Sequence, residues 1–319
     1  MDKKLIISLS PHIHSGLTID RCMWNVIIAL LPALVAAVWV FGLPALWVTL
    51  LAVGACMLTE WSIEKYLFRR PSTLANGSAI ITGLLLAFNL PSILPWWMVI
   101  IGGVVAIGIG KMSFGGMGCN IWNPALVGRV FLLLSFPAAM TTWPMEVGSG
   151  IDGYTGATFL SAMKFDPQGT MAAANIPDML LGHMSGSMGE ISAVAILLGL
   201  VWLLLTRTIT WHIPVAVIAG AALLSWATGG HPLLDILSGG LLLGAVFMAT
   251  DYVTSPMTYT GQIIFGLMIG VITIIIRRFG AYPEGVSFAI LLMNSFVPLI
   301  NRWCRPVIFG ERERRSLKK

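Results

Sequence analysis

The chain has 319 residues, 57% of them hydrophobic and only 10% charged, with a formal net charge of +5. A soluble domain carries about 25% charged residues, so a water-facing globule of this size is excluded for want of polar surface. The basic residues are spread over short loops and a tail, a pattern of membrane orientation that argues against a nucleic-acid footprint.

Repeated apolar runs of about 20 residues predict an all-α polytopic protein in a lipid bilayer. Cys22, Cys56, Cys119 and Cys304 stand far apart. With no C-x-x-C pair and no Cys/His cluster, nothing in the chain cues a zinc or iron–sulfur site.

Residues 1–22 are polar and lack an apolar core, so a cytoplasmic arm is expected and a cleavable signal peptide is not. His12 and His14 have no third partner and are read as part of that arm. A first five-helix unit is expected over 23–136. Its first helix runs from about Met23 to Phe41, and Gly42-Leu43-Pro44 turns the chain. The second ends near Tyr66 in a basic cluster of Lys65, Arg69 and Arg70. Lys3, Lys4 and Arg21 precede the first helix, so both clusters mark the cytoplasmic side. The run Gly77 to Phe88 is too short to cross unbroken and predicts a helix with an unwound entry, a device tolerated where it lines an interior or cavity. A fourth span from Leu94 to Lys111 and a fifth from Trp122-Asn123-Pro124-Ala125 to Phe136 complete the unit. The glycines from Gly115 to Gly118 could admit a ligand to backbone N–H groups but are read as close packing.

Five spans from a cytoplasmic start place 137–190 outside. That interval holds Glu146, Asp152, Asp166, Asp178 and Glu190 against one basic residue, Lys164, as an extracytoplasmic loop should. Within it lies Asp152-Gly153-Tyr154-Thr155-Gly156-Ala157-Thr158, which by local chemistry alone reads as a glycine-rich surface turn.

A second five-helix unit is expected over 191–303, with spans at Ile191–Leu205, Ile213–Thr228, Leu233–Ala249, Gly261–Ile276 and Gly285–Trp303. Residues 304–319 form a basic cytoplasmic tail. Ten spans with both termini inside satisfy the charge rule except at Arg277 and Arg278, which fall outside. Either the count errs there, or these arginines pair with an anion, and arginine suits phosphate. Ile81-Thr82-Gly83-Leu84-Leu85-Leu86 echoes Ser238-Gly239-Gly240-Leu241-Leu242-Leu243, and Gly115–Leu134 echoes Gly280–Leu299. Five spans per unit make the two repeats inverted across the membrane.

The string ending at Thr158 resembles the flavinylation motif D-x-x-[ST]-G-A-T, whose last Thr carries FMN through a phosphoester. At average composition its five fixed positions should coincide by chance in roughly one chain per thousand. Over essentially its full length the chain resembles the RnfD family of the Rnf electron-transport complex. The resemblance rests on Ser10-Pro11-His12, Asn123-Pro124-Ala125, Met248-Ala249-Thr250-Asp251, Val253-Thr254-Ser255-Pro256, Tyr282-Pro283-Glu284-Gly285 and Phe288-Ala289-Ile290-Leu291 through Asn294. The NqrB protein of the sodium-pumping NADH:quinone oxidoreductase is similar but usually has a longer N-terminal extension, so a first span near residue 23 favours the Rnf member. Tyr252 departs from the family's proline after Asp251.

The resemblance implies a multi-pass bacterial inner-membrane component of a complex that passes electrons between ferredoxin and NAD, coupled to Na+ or H+ movement. It implies FMN on Thr158, with Thr155, Gly156 and Ala157 as small residues recognised by a transferase and Asp152 positioning the motif. The other proteins of the complex and a flavin transferase are the implied partners, because a Thr hydroxyl is a poor nucleophile unaided. Arg277 or Arg278 is then a candidate for neutralising the FMN phosphate. The Thr250-Asp251 loop is a candidate for a second, non-covalent flavin or a docking site, beside the plainer reading of a polar helix end. The main rival from another class is an inverted-repeat solute or ion carrier, which has no use for the Thr motif. A second is a purely structural membrane component that anchors redox partners, with Thr158 unmodified. Glu60, Glu64, Asp235 and Asp251 all fall near span ends, and none stands out as an intramembrane ion carrier.

Overall fold

The computed structural model describes residues 18–144, 155–156, 158–165, 176–182, 186–280 and 284–305. Thr18 opens α1 (Ile19–Phe41) by accepting a hydrogen bond from the Arg21 backbone N–H, and Gly42 closes it at φ 71°. The α2 helix (Leu43–Ser62) continues as a π-helical turn over Ile63–Phe68. The α3 helix is Ser78–Phe88, α4 is Trp96–Gly108, and α5 is Pro124–Ser135, capped by Asn123 with proline in the first turn. The short α6 (Pro137–Met140) leads to β1 (Trp143–Pro144).

Among the described residues five helical stretches are long and apolar enough to cross a membrane: Ile19–Phe41, Leu43–Phe68, Trp96–Phe114, Tyr259–Phe279 and Val286–Trp303. On the first two of them Leu31, Val35, Trp39, Leu43, Trp47 and Leu50 are all exposed. A continuous apolar surface of this kind is what a lipid-facing helix presents. The helices therefore describe a multi-pass membrane protein.

Beyond the first unit come β2 (Thr155–Gly156), α7 (Phe159–Phe165) and α8 (Ile176–Leu181). The α9 helix is Ala193–Leu205, capped by Ser192, and α10 is His212–Ala227. The run expected as one span over Leu233–Ala249 is interrupted. It forms α11 (Pro232–Leu237), a break at Ser238 to Gly240, then α12 (Leu241–Leu243) running into a π turn over Gly244–Met248. Gly239 sits at φ +65°, where only glycine is unstrained, and that ends the helix. The α13 helix (Tyr259–Phe279) is longer than expected and takes Arg277 and Arg278 into its last turn, and α14 is Val286–Trp303.

Two short elements form the interior. Nearly every residue of α3 is buried, and so is the whole of Leu241–Ala249. Around them α2 packs on α3 and α4, while α10 packs on α11, the second π turn and α13. Close approach depends on glycine. A Cβ on Gly83 would lie 2.6 Å from the Val53 Cα, and one on Gly270 would lie 2.5 Å from the Ala221 nitrogen. In lipid, where apolar burial gives little drive, such backbone contact is a principal source of helix adhesion.

A candidate flavin-attachment site at one end of the helix bundle

The α13 helix has 21 residues, roughly 30 Å at 1.5 Å per residue. Two polar sites lie toward its two ends.

At the end marked by Arg277, β2 pairs antiparallel with β1, Gly156 opposite Trp143 and Thr155 opposite Pro144. This pairing delivers Thr158 to the start of α7. Thr158 is 4% exposed. Its Oγ1 lies 2.9 Å from Ser161 Oγ and accepts from the Ser161 backbone N–H at 3.2 Å, the geometry of a helix cap. Lys164, further along α7, donates to the Gly280 carbonyl at the end of α13. Thr158 faces a small recess with Gly186, Glu190, Leu237 and Gly239. Asp152 and Ala157 lie outside the described residues.

Arg277 is buried beside this recess. It donates to the Asp235 and Ser238 carbonyls, the latter at 3.0 Å, and its Nε has no partner. Arg278 instead pairs with Asp235 Oδ2 at 3.5 Å, the carboxylate that also accepts from Ser225 Oγ. The two arginines that broke the charge rule are therefore not equivalent. Arg278 pairs directly with a carboxylate, whereas Arg277 hydrogen-bonds only carbonyls and has the Asp235 and Glu190 charges near it.

A second buried guanidinium was missed in the sequence. Arg129 of α5 donates to Asn89 Oδ1 and Ser287 Oγ, both at 2.7 Å, and pairs with Glu284. It ties the end of α3 and the start of α14 to α5. The signal was available: an Arg in the middle of an apolar helix requires an internal partner.

The other end holds a cavity of about 100 Å³ bordered by Ser78, Thr82, Lys111, Asn120, Asn123 and Asp251. Asn123 donates to the Met248 carbonyl at 3.2 Å and so holds the end of the second π turn. Lys111 donates to Glu60 at 2.6 Å and to Ser78 Oγ at 2.8 Å. Glu60 and Glu64 are both fully buried, Glu64 accepting from the Thr73 N–H at 2.8 Å and its hydroxyl at 2.6 Å. These acids are near span ends, as read from the sequence, yet they are sealed from water by their partners. Asp251, in the connection before α13, accepts from Thr254 Oγ1 at 3.1 Å. Burial raises the Asp251 pKa above the ordinary carboxylate value, opposed by its hydrogen bonds from Thr254, the Val253 backbone and Asn120. Among the described residues, no group of three or more His, Cys, Asp or Glu side chains could hold a metal.

The fold and its buried polar sites define a helical, multi-pass membrane protein with polar chemistry at both ends of its interior. The chain belongs to the NQR2, RnfD, RnfE family, whose model matches residues 6–310. It is 44% identical to the D subunit of the proton-translocating ferredoxin:NAD(+) oxidoreductase complex of Clostridium ljungdahlii, over 96% of each chain. It is 45% identical to the D subunit of the Na(+)-translocating ferredoxin:NAD(+) oxidoreductase complex of Acetobacterium woodii, over 96% of this chain and 95% of that one. The D subunit of the ion-translocating oxidoreductase complex of Citrobacter koseri is 37% identical, over 96% of this chain and 99% of its own. The family read from the motifs is thus the family found.

Proposed function

We propose that this chain is the flavin-carrying membrane component of an Rnf complex, relaying electrons between ferredoxin and NAD with Na+ or H+ translocation. The names of its relatives support the complex and the activity. The observation that carries the flavin is Thr158 at the end of a D-x-x-T-G-A-T string, seated beside a buried arginine with an unpartnered Nε. An FMN phosphoester on Thr158 Oγ1 would bring one negative charge to that wall, and Arg277 is the residue placed to neutralise it. The flavin, when bound, supplies the redox chemistry; this chain supplies position and electrostatics.

The reading extends to topology. Ten crossings of a bacterial inner membrane, with both termini cytoplasmic and Thr158 extracytoplasmic, accommodate the charge distribution and the short interior helices. Two inverted repeats would pair α3 with Leu241–Met248, each a buried half-length helix packed on the second long helix of its unit (α2 and α10). The cavity at Asp251 would take a second, non-covalent flavin. A separate transferase would form the Thr158 bond, and the other Rnf proteins would supply the neighbouring redox centres.

Intact mass tests the core of this. Protein co-expressed with a flavin transferase should gain the mass of one FMN less one water, and Thr158→Val should not. No gain despite an active transferase would remove the flavin role and leave family membership untouched.

A further inference from the structure

Among the described residues five buried side-chain atoms lack any hydrogen-bond partner: Ser187 Oγ, Glu190 Oε2, His212 Nδ1, Ser238 Oγ and Arg277 Nε. All but His212 Nδ1 gather around the Thr158 recess. Glu190 lines it directly. Ser187 is tied to Glu190, its backbone N–H donating to Glu190 Oε1 at 3.1 Å. Ser238 precedes Gly239, which lines the recess, and its carbonyl accepts from Arg277. Buried polar groups in folded proteins nearly always have partners, and each orphan costs about 1–3 kcal/mol. A cluster of four in one place marks missing polar contacts.

Glycines keep the wall open. A Cβ on Gly186 would lie 2.5 Å from Glu190 Oε1, one on Gly240 would lie 3.4 Å from Glu190 Oε2, and one on Gly239 would lie 3.1 Å from Arg277 Nη2.

The donor and acceptor inventory narrows what belongs there. Arg277 Nε can only donate, and the two serine hydroxyls can donate, so three groups can face the oxygens of an anion. An ionised Glu190 can only accept, and it would repel a phosphate oxygen. Its Oε2, near the Arg277 charge but without a hydrogen-bond partner, can accept from a hydroxyl close to that anion. A phosphate ester carrying a polyol chain has both, in adjacent positions: phosphate oxygens first, then hydroxyls.

We propose that Ser187, Glu190, Ser238 and Arg277 form a cradle for the phosphate–ribityl portion of the FMN on Thr158, with Glu190 accepting from a ribityl hydroxyl. This rests on the flavin reading above and adds to it the residues that hold the flavin once attached. The enclosed space at Thr158 is about 10 Å³, room for roughly one water. Glu190 and Ser238 are positioning residues: they fix the flavin and do not make the bond.

The test uses full-length protein co-expressed with a flavin transferase, as wild type, Ser238→Ala, Glu190→Gln and Arg277→Gln, with Thr158→Val as the blank for any non-covalent flavin. Intact mass reads attachment, and steady-state fluorescence anisotropy of the attached flavin reads how firmly it is held. All three variants should carry FMN, with at least a twofold fall in flavin anisotropy. Glu190→Gln should also raise the flavin midpoint potential, because a negative charge leaves its surroundings. Ser238→Ala removes one oxygen and perturbs packing least, so it keeps the test decisive if the charged-site variants misfold. FMN attached with unchanged anisotropy in Ser238→Ala would overturn the cradle and assign the orphaned groups to ordered water. Absence of FMN from the wild type would overturn the flavin reading itself, and the cradle with it.

Discussion

Arg129 has Asn89, Ser287 and Glu284 around it and is 5% exposed. Replacing it with Met would strand the Glu284 carboxylate beside an apolar side chain. A broken buried pair costs about 3–5 kcal/mol, so Arg129→Met should lower the thermal midpoint in detergent sharply. Arg129→Met with Glu284→Gln should recover much of that loss, and a double-mutant cycle with no coupling would show that the pair contributes nothing. Asp251 behaves in the opposite way. Its pKa is raised by burial, so the folded state binds a proton more tightly than the unfolded chain does. That contribution is complete below the unfolded carboxylate pKa of about 4 and is lost as pH rises through the folded value. The thermal midpoint of wild type should therefore fall across that window, relative to Asp251→Asn, measured by the same melt from acid to neutral pH.

At the scale of elements, the interior is held together by backbone contact. Gly83 lets α3 meet the α2 backbone at Val53, and Gly270 lets α13 meet α10 at Ala221. Overpacking a well-filled interface costs about 1–3 kcal/mol. We expect Gly83→Ala and Gly270→Ala each to lose that much. Gly54→Ala, which meets nothing within 4 Å, should be neutral or slightly stabilising. Equal effects at all three positions would mean that helix propensity, and not packing, governs these sites. The break at Ser238 to Gly240 belongs to this scale as well. It turns what reads as one span into two pieces, and in doing so places the Ser238 carbonyl beside Arg277.

At the scale of the whole molecule, the Thr158 recess lies toward the Arg277 end of α13 and the Asp251 cavity toward its start, while Gly239 of the recess and Phe247 of the cavity are eight residues apart on the interrupted helix. One site faces each side of the bilayer in the proposed topology. Phe165 is 88% exposed at the Thr158 end and Met257 is 89% exposed at the other. In a cysteine-free background, a membrane-impermeant maleimide applied to intact spheroplasts should label Phe165→Cys and leave Met257→Cys unlabelled until the membrane is opened. The reverse pattern would invert the protein in the membrane and put Thr158 in the cytoplasm.

The linear chain already determined the class of protein, most helix positions and the family. Charge scarcity, apolar run lengths and Gly–Pro turns act locally, so they are readable one segment at a time. The short third helix was legible for that reason: Gly77 to Phe88 is simply too few residues, and α3 occupies Ser78–Phe88. Thr158 could be singled out because the string that ends at it is contiguous in the chain. What only the tertiary structure decided are relations between distant segments. Nothing in the sequence says that Glu190 and Gly239 border Thr158, that Arg277 differs from its neighbour Arg278, or that Lys111 seals Glu60 from water. A buried charge is defined by what surrounds it. Those surroundings come from residues that meet only when the helices pack.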